Sequence, residues 1–113
     1  MRVLIIKVCG DPEWREVEKD SKAMQEIVGG ELEFIPTLIR DVVIVGDEEA
    51  KLKHKPLNFI TEAEYIAGEV FVAGMKGEEL VDITNDQAQA FMAVYFPGFH
   101  QKPIYKVLFP DKE

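Results

Sequence analysis

At 113 residues the chain has the length of one domain and can bury a core; its 47% apolar content, with seven Phe, three Tyr and one Trp, excludes a disordered polymer. Thirteen basic against 21 acidic side chains leave a net charge of −8, which repels phosphate backbones and anionic bilayers. Generic nucleic-acid binding and membrane adsorption are therefore disfavoured; a basic protein partner suits the charge, and ordinary solubility explains it equally well.

Val3 to Val8 is an almost continuous apolar, β-branched run, which predicts a first strand covered on both faces. Lys7 interrupts it and no small-residue cleavage site follows, so it reads as a strand and not as a secretory leader. No apolar run reaches the roughly 18 residues of a membrane span, so a cytoplasmic setting is expected. Cys9, the single cysteine, excludes an intramolecular disulfide and a multi-cysteine metal site; at the end of an apolar run it is expected to be a buried, inert thiol.

Gly10-Asp11-Pro12 marks a turn, and Trp14 to Glu18 returns as a second strand with Val17 inward. Asp20 or Ser21 offers an N-cap oxygen to a helix whose Ala23, Met24, Ile27 and Val28 fall on one face, and Gly29 supplies its left-handed stop. Leu32 and Phe34 alternate with Glu31 and Glu33 as in a half-exposed strand ended by Pro36, and Val42 to Val45 is the strongest candidate for a central strand. Gly46 to Glu49 reads as a turn, and Lys51 to Asn58 as a basic, Pro-interrupted ordered loop.

Thr61-Glu62-Ala63-Glu64 has the spacing of a capping box and predicts a short helix through Tyr65 and Ile66, stopped by Gly68. Glu69–Ala73 and Glu78–Ile83 are predicted strands around a Gly74–Gly77 hairpin turn. Thr84 to Gln87 is a second capping box, opening a helix with Ala88, Phe91, Met92 and Tyr95 on one face and ending at Pro97-Gly98. Ile104 to Phe109 is a predicted last strand at a sheet edge. The whole reads as one α+β domain, residues 1–113: a single mixed or antiparallel sheet with two or three short helices, opening strand–turn–strand–helix–strand as a β-grasp does, with 95–113 as a C-terminal edge-strand extension.

Tests for chemistry return little. The only serine, Ser21, sits at a helix start where capping accounts for it. The sequence allows a Cys9–His54 or Cys9–His100 pair, but thiolate activation needs an exposed, electropositive setting and Cys9 ends an apolar run, so a structural thiol is expected. The two histidines show no zinc spacing, and Asp47-Glu48-Glu49 lacks the alternating oxygens and central glycine of a calcium loop, so it reads as a solvated turn. Gly29-Gly30 follows a helix where phosphate cradles precede one. No metal or cofactor is expected, no catalytic residue is assigned, and the sequence names no reaction. The one local charge anomaly is Lys51, Lys53, His54 and Lys55 directly after the acidic turn, which is either a charged loop rim or a contact for an anionic ligand or partner.

Met24 to Pro36, then Val43 to Leu52, Pro56-Leu57-Asn58, and Tyr65 to Gly74 occur in an order that resembles a family of small domains of unknown function carried on bacterial phages, plasmids and integrated elements. That pattern runs helix-Gly-Gly, hydrophobic strand, Asn/Asp-Glu-Glu-x-Lys-Leu turn, Pro-x-Asn, and Ile-x-Gly before a strand, and it covers residues 2 to about 96. The chain departs from it at Ala50, where glycine suits the turn, and at Phe59, where a basic residue often follows the asparagine; Phe99 to Glu113 has no counterpart. The resemblance implies a mobile-element setting and brings no catalytic residue.

Three readings follow. The first is a non-catalytic binding or interaction module with a protein partner. The second is a small-ligand or nucleotide binder whose mouth is the 46–58 loop, with Asp47, Glu48, Lys51, Lys53, Lys55, Asn58 and Tyr65 as contact residues. The third is an acidic DNA mimic, which needs its carboxylates ranked on one face although lysines are interleaved with them. A homodimer through the C-terminal strand is the expected assembly.

Overall fold

The computed structural model describes residues 1–110. Eight strands, three α-helices and a short 3-10 helix (Phe99–Gln101) make up the described chain: β1 (Arg2–Ile6), β2 (Glu13–Glu16), α1 (Ser21–Val28), β3 (Leu32–Pro36), β4 (Val42–Asp47), β5 (Leu57–Ile60), β6 (Tyr65–Ala67), β7 (Val70–Lys76), β8 (Glu79–Val81), α2 (Asn85–Tyr95) and α3 (Ile104–Leu108). The α+β class and the opening strand–turn–strand–helix–strand order are those read from the sequence.

The main sheet is antiparallel, in the order β2-β1-β7-β4-β3, with β8 also paired to β7; β5 and β6 form a separate two-stranded hairpin. Register explains the apolar runs. Leu4, Val72 and Ile44 stand side by side on one face, and Ile5, Phe71 and Val45 on the other. Both faces are covered, so alternation is not needed and consecutive positions are apolar and largely β-branched. On one side Met24 and Val28 of α1 pack over Val3, Val45 and Phe71. On the other, Ala88, Phe91 and Met92 of α2 join Phe59 and Ile66 of the small hairpin.

The caps of both long helices form as the sequence predicts. Asp20 accepts the Ala23 amide at 2.8 Å, and Gly29 ends α1 in the left-handed region (φ 80°). Thr84 and Gln87 complete a reciprocal capping box on α2.

Five local expectations change. Thr61 accepts the amides of Ala63 and Glu64, as a cap does, but its own N–H donates to the Glu64 carbonyl at 2.8 Å and closes a tight turn into β6. The Glu64 carboxylate, which the capping box needs at the cap amide, pairs instead with Lys51. Ile66 is buried opposite Phe59, so strand pairing outweighs a helix with too few residues before Gly68. Ile104 to Leu108 is a helix and not an edge strand: Ile104, Tyr105 and Leu108 pack inward with Phe109 while Val107 is exposed, a helical spacing. The C-terminal strand proposed for a homodimer is therefore absent. Cys9 is exposed, because β1 stops at Ile6 and the chain bends away through Gly10. On β3 the buried residue is Ile35, with Phe34 half-exposed on an edge strand that α1 covers only near Leu32. The β7–β8 turn falls at Gly77-Glu78 and not at Gly74–Gly77, since Lys76 already pairs with Glu79.

Candidate functional site

The acidic turn and the basic loop meet in one knot at the end of α1. Asp47 is the last residue of β4, and its side chain is 1% exposed. One carboxylate oxygen accepts the Glu49 amide at 2.9 Å; the other faces the ammonium groups of Lys53 at 2.9 Å and Lys55 at 2.8 Å. Those ammonium groups also donate to helix-end carbonyls, Lys53 to Gly29 at 3.1 Å and Lys55 to Val28 at 2.8 Å. A helix C-terminus leaves such oxygens without intrahelical partners and carries partial negative charge, so two lysines satisfy it twice over.

The glycines make room for this arrangement. A Cβ on Gly29 would stand 2.9 Å from the Lys55 ammonium, and one on Gly30 would overlap the Asp47 carboxylate. Gly68, at φ 79°, lies under the Lys55 stem, where a Cβ would approach to 2.8 Å. The Asn58 amide ties the loop to the sheet, donating to the carbonyls of Ile6 at 3.0 Å and Gly68 at 2.9 Å.

Burial opposes charge on Asp47, but hydrogen bonds from Lys53, Lys55 and the Glu49 amide outweigh it and hold the carboxyl at about 2. The same contact raises the pKa of Lys53. Asp47 is thus not the solvated turn residue that sequence composition suggests.

Beside the knot is a small cleft, about 90 Å³, between the β3–β4 pair and the β5–β6 hairpin, with Glu33, Glu48, Lys51, Glu64 and Tyr65 on its walls. Lys51 pairs with Glu64 at 2.8 Å, which raises its pKa, and its ammonium lies 4.4 Å from the centre of the Tyr65 ring. Burial, followed by the nearby charge of Glu64, raises the pKa of Glu33.

The seven sequence-predicted residues therefore divide. Asp47, Lys53, Lys55 and Asn58 hold the fold together, while Glu48, Lys51 and Tyr65 border the cleft, whose wall Asp47 also reaches. Sequence reading missed Glu33 and Glu64, which reach the cleft through strand register and a tight turn; only the pairing of Glu33 with Gly46 discloses the first. It also missed the outer surface of the small hairpin, where Leu57 (55% exposed), Ile60 (67%) and Tyr65 (48%) face solvent.

The ordered set of motifs that falls together in this knot is matched, over residues 1–95, by a family model described as Domain of unknown function (DUF3846). The chain belongs to this family. No curated protein and no solved structure matches it. Every residue of the Asp47 knot lies within the DUF3846 region, whereas the last turn of the fold, including α3, lies beyond it. Among the described residues, no helix of this DUF3846 chain is long and apolar enough to cross a membrane, and no three His, Cys, Asp or Glu side chains are grouped to hold a metal ion.

Proposed function

We propose that this DUF3846 chain is a non-catalytic protein-interaction module whose contact surface is the outer side of the β5–β6 hairpin, with the cleft residues Glu48, Lys51 and Tyr65 at its rim. The observation that carries the reading is the exposure of Leu57, Ile60 and Tyr65 on one two-stranded hairpin, with Ile60 directly across from Tyr65. Apolar and aromatic side chains rimmed by charge are the composition of a protein contact surface. The Asp47 knot is joined to that hairpin through its own loop, since Lys51 pairs with Glu64 next to Tyr65 and Asn58 donates to the Gly68 carbonyl.

A small-ligand or nucleotide reading fits less well. Two of its three lysines are engaged with Asp47 and helix-end carbonyls, and the cleft of about 90 Å³ is well below the roughly 300 Å³ from which such sites begin. The mobile-element setting implied by the resemblance makes an accessory protein acting on a host protein, in the cytoplasm, the reading we favour.

Affinity capture from a host lysate tests it, with the wild type beside a Leu57→Asp/Ile60→Asp variant whose fold is checked by circular dichroism. A stoichiometric protein held by the wild type and released by the variant is expected. A partner held equally by both, or a turnover activity in the purified chain, overturns the proposal.

A further inference from the structure

A second surface stands apart from the hairpin. From Gln87 to Pro110 the chain contains no Asp or Glu, although 21 of its 113 residues are acidic. Both walls of a groove of about 430 Å³ come from this stretch: Gln89, Met92 and Ala93 on α2, and His100, Tyr105, Lys106 and Phe109 on the segment that follows. Met92 and Phe109 are buried at its base, and Ala93, His100 and Lys106 are exposed at its rim. Lys106 makes no ion pair or side-chain hydrogen bond among the described residues, in contrast to Lys51, Lys53 and Lys55.

The volume is that of a small-molecule site, and the lining combines an apolar floor with cationic and hydrogen-bonding groups at one side. Among the described residues, no carboxylate lines it. In a chain of net charge −8, the described lining of this groove carries the Lys106 ammonium and His100 with no carboxylate beside them, a setting that favours an anion.

We propose that this groove binds an amphipathic anion: an unbranched or aromatic apolar body ending in a single carboxylate. The apolar body lies on Met92, Ala93, Tyr105 and Phe109, and the carboxylate faces Lys106 and His100 at the rim. Burial of the chain supplies the affinity and the cation selects the charged end. The site is independent of the hairpin surface.

Decanoate is the test ligand, kept below its micelle concentration and followed by two-dimensional amide NMR, with decanol as an uncharged control of equal length. Saturable shifts confined to α2 and the 99–109 segment are expected, together with weaker binding of decanol. Lys106→Glu is expected to weaken decanoate about tenfold and leave decanol unchanged, and Ala93→Trp to abolish both by filling the groove. Both positions are exposed, and the amide spectrum itself reports whether the variants fold. Absence of saturable shifts in the groove, equal affinity for decanol, or indifference to Lys106→Glu overturns the proposal.

Discussion

The ammonium group of Lys55 lies 2.8 Å from the carboxylate of Asp47, and the same nitrogen donates at 2.8 Å to the last helical carbonyl of α1, that of Val28. One side chain thus couples the end of β4 to the end of α1. Asp47→Asn should remove the charge that both lysines face and cost about 2 kcal/mol at pH 7, the value of holding a carboxyl at about 2 in the folded chain against its ordinary 3.8. The sign follows from that depression: the contribution is complete at neutral pH and decays as the pH falls from about 5 toward 2. Urea denaturation of wild type and variant at a series of pH values checks this. A stability gap that persists unchanged at pH 2.5 would contradict the assignment.

Gly30 has no left-handed backbone to preserve, so the cost of Gly30→Ala should come from its Cβ meeting the Asp47 carboxylate. The substitution is expected to destabilise by about 2 kcal/mol, in the range for overpacking. In an Asp47→Ala background only the Lys53 ammonium, 2.6 Å from that Cβ and at the free end of a flexible side chain released from its counterion, remains in the way, and most of that cost should vanish. A double-mutant cycle by chemical denaturation measures it, and additive effects would show that the clash is not the cause.

Glu33 behaves in the opposite sense to Asp47. Burial and the adjacent Glu64 raise its pKa, so its ionised form opposes folding. Glu33→Gln should therefore increase the thermal midpoint at pH 7, and the gain should fade as the pH falls through the raised pKa toward the ordinary value of 4.5, below which the carboxyl is protonated in folded and unfolded chains alike. Differential scanning calorimetry at pH 7 and pH 4 tests both parts.

The sole tryptophan reports on the C-terminal segment. Its indole N–H donates to the Leu108 carbonyl at 2.9 Å, and its ring meets Phe109 edge-on at 5.8 Å. Phe109→Ala should cost about 3–5 kcal/mol, the usual range for a buried phenylalanine, and shift Trp14 emission to the red in the folded state. Unchanged emission with lowered stability would separate the packing effect from undocking of the segment.

How far the sequence discloses this architecture depends on the range of the interactions involved. Asp20, Gly29 and Thr84 act within a few residues of themselves, so local chemistry identifies their helix ends. Thr61 is read correctly as a side-chain acceptor, yet the same hydroxyl bonds serve a turn once Lys51 draws Glu64 away and Phe59 offers Ile66 a partner. The lysine-rich loop appears free in sequence because its counterion, Asp47, and its two backbone acceptors are brought to it only by folding. Ile104 to Phe109 carries residues that suit either a strand or a short helix, and the burial of Phe109 beside Trp14 decides between them.

The placement of β7 has a consequence for synthesis on the ribosome. It lies between β1 and β4 and also carries β8, so no hydrogen bond of the main sheet joins the β1–β2 pair to the β3–β4 pair without it. β7 begins at Val70. While residues 1–69 emerge they can form two separate hairpin-like pairs, each with a bare edge, but not their common sheet. The nascent chain must therefore hold two open edges apart until a single later strand inserts between them.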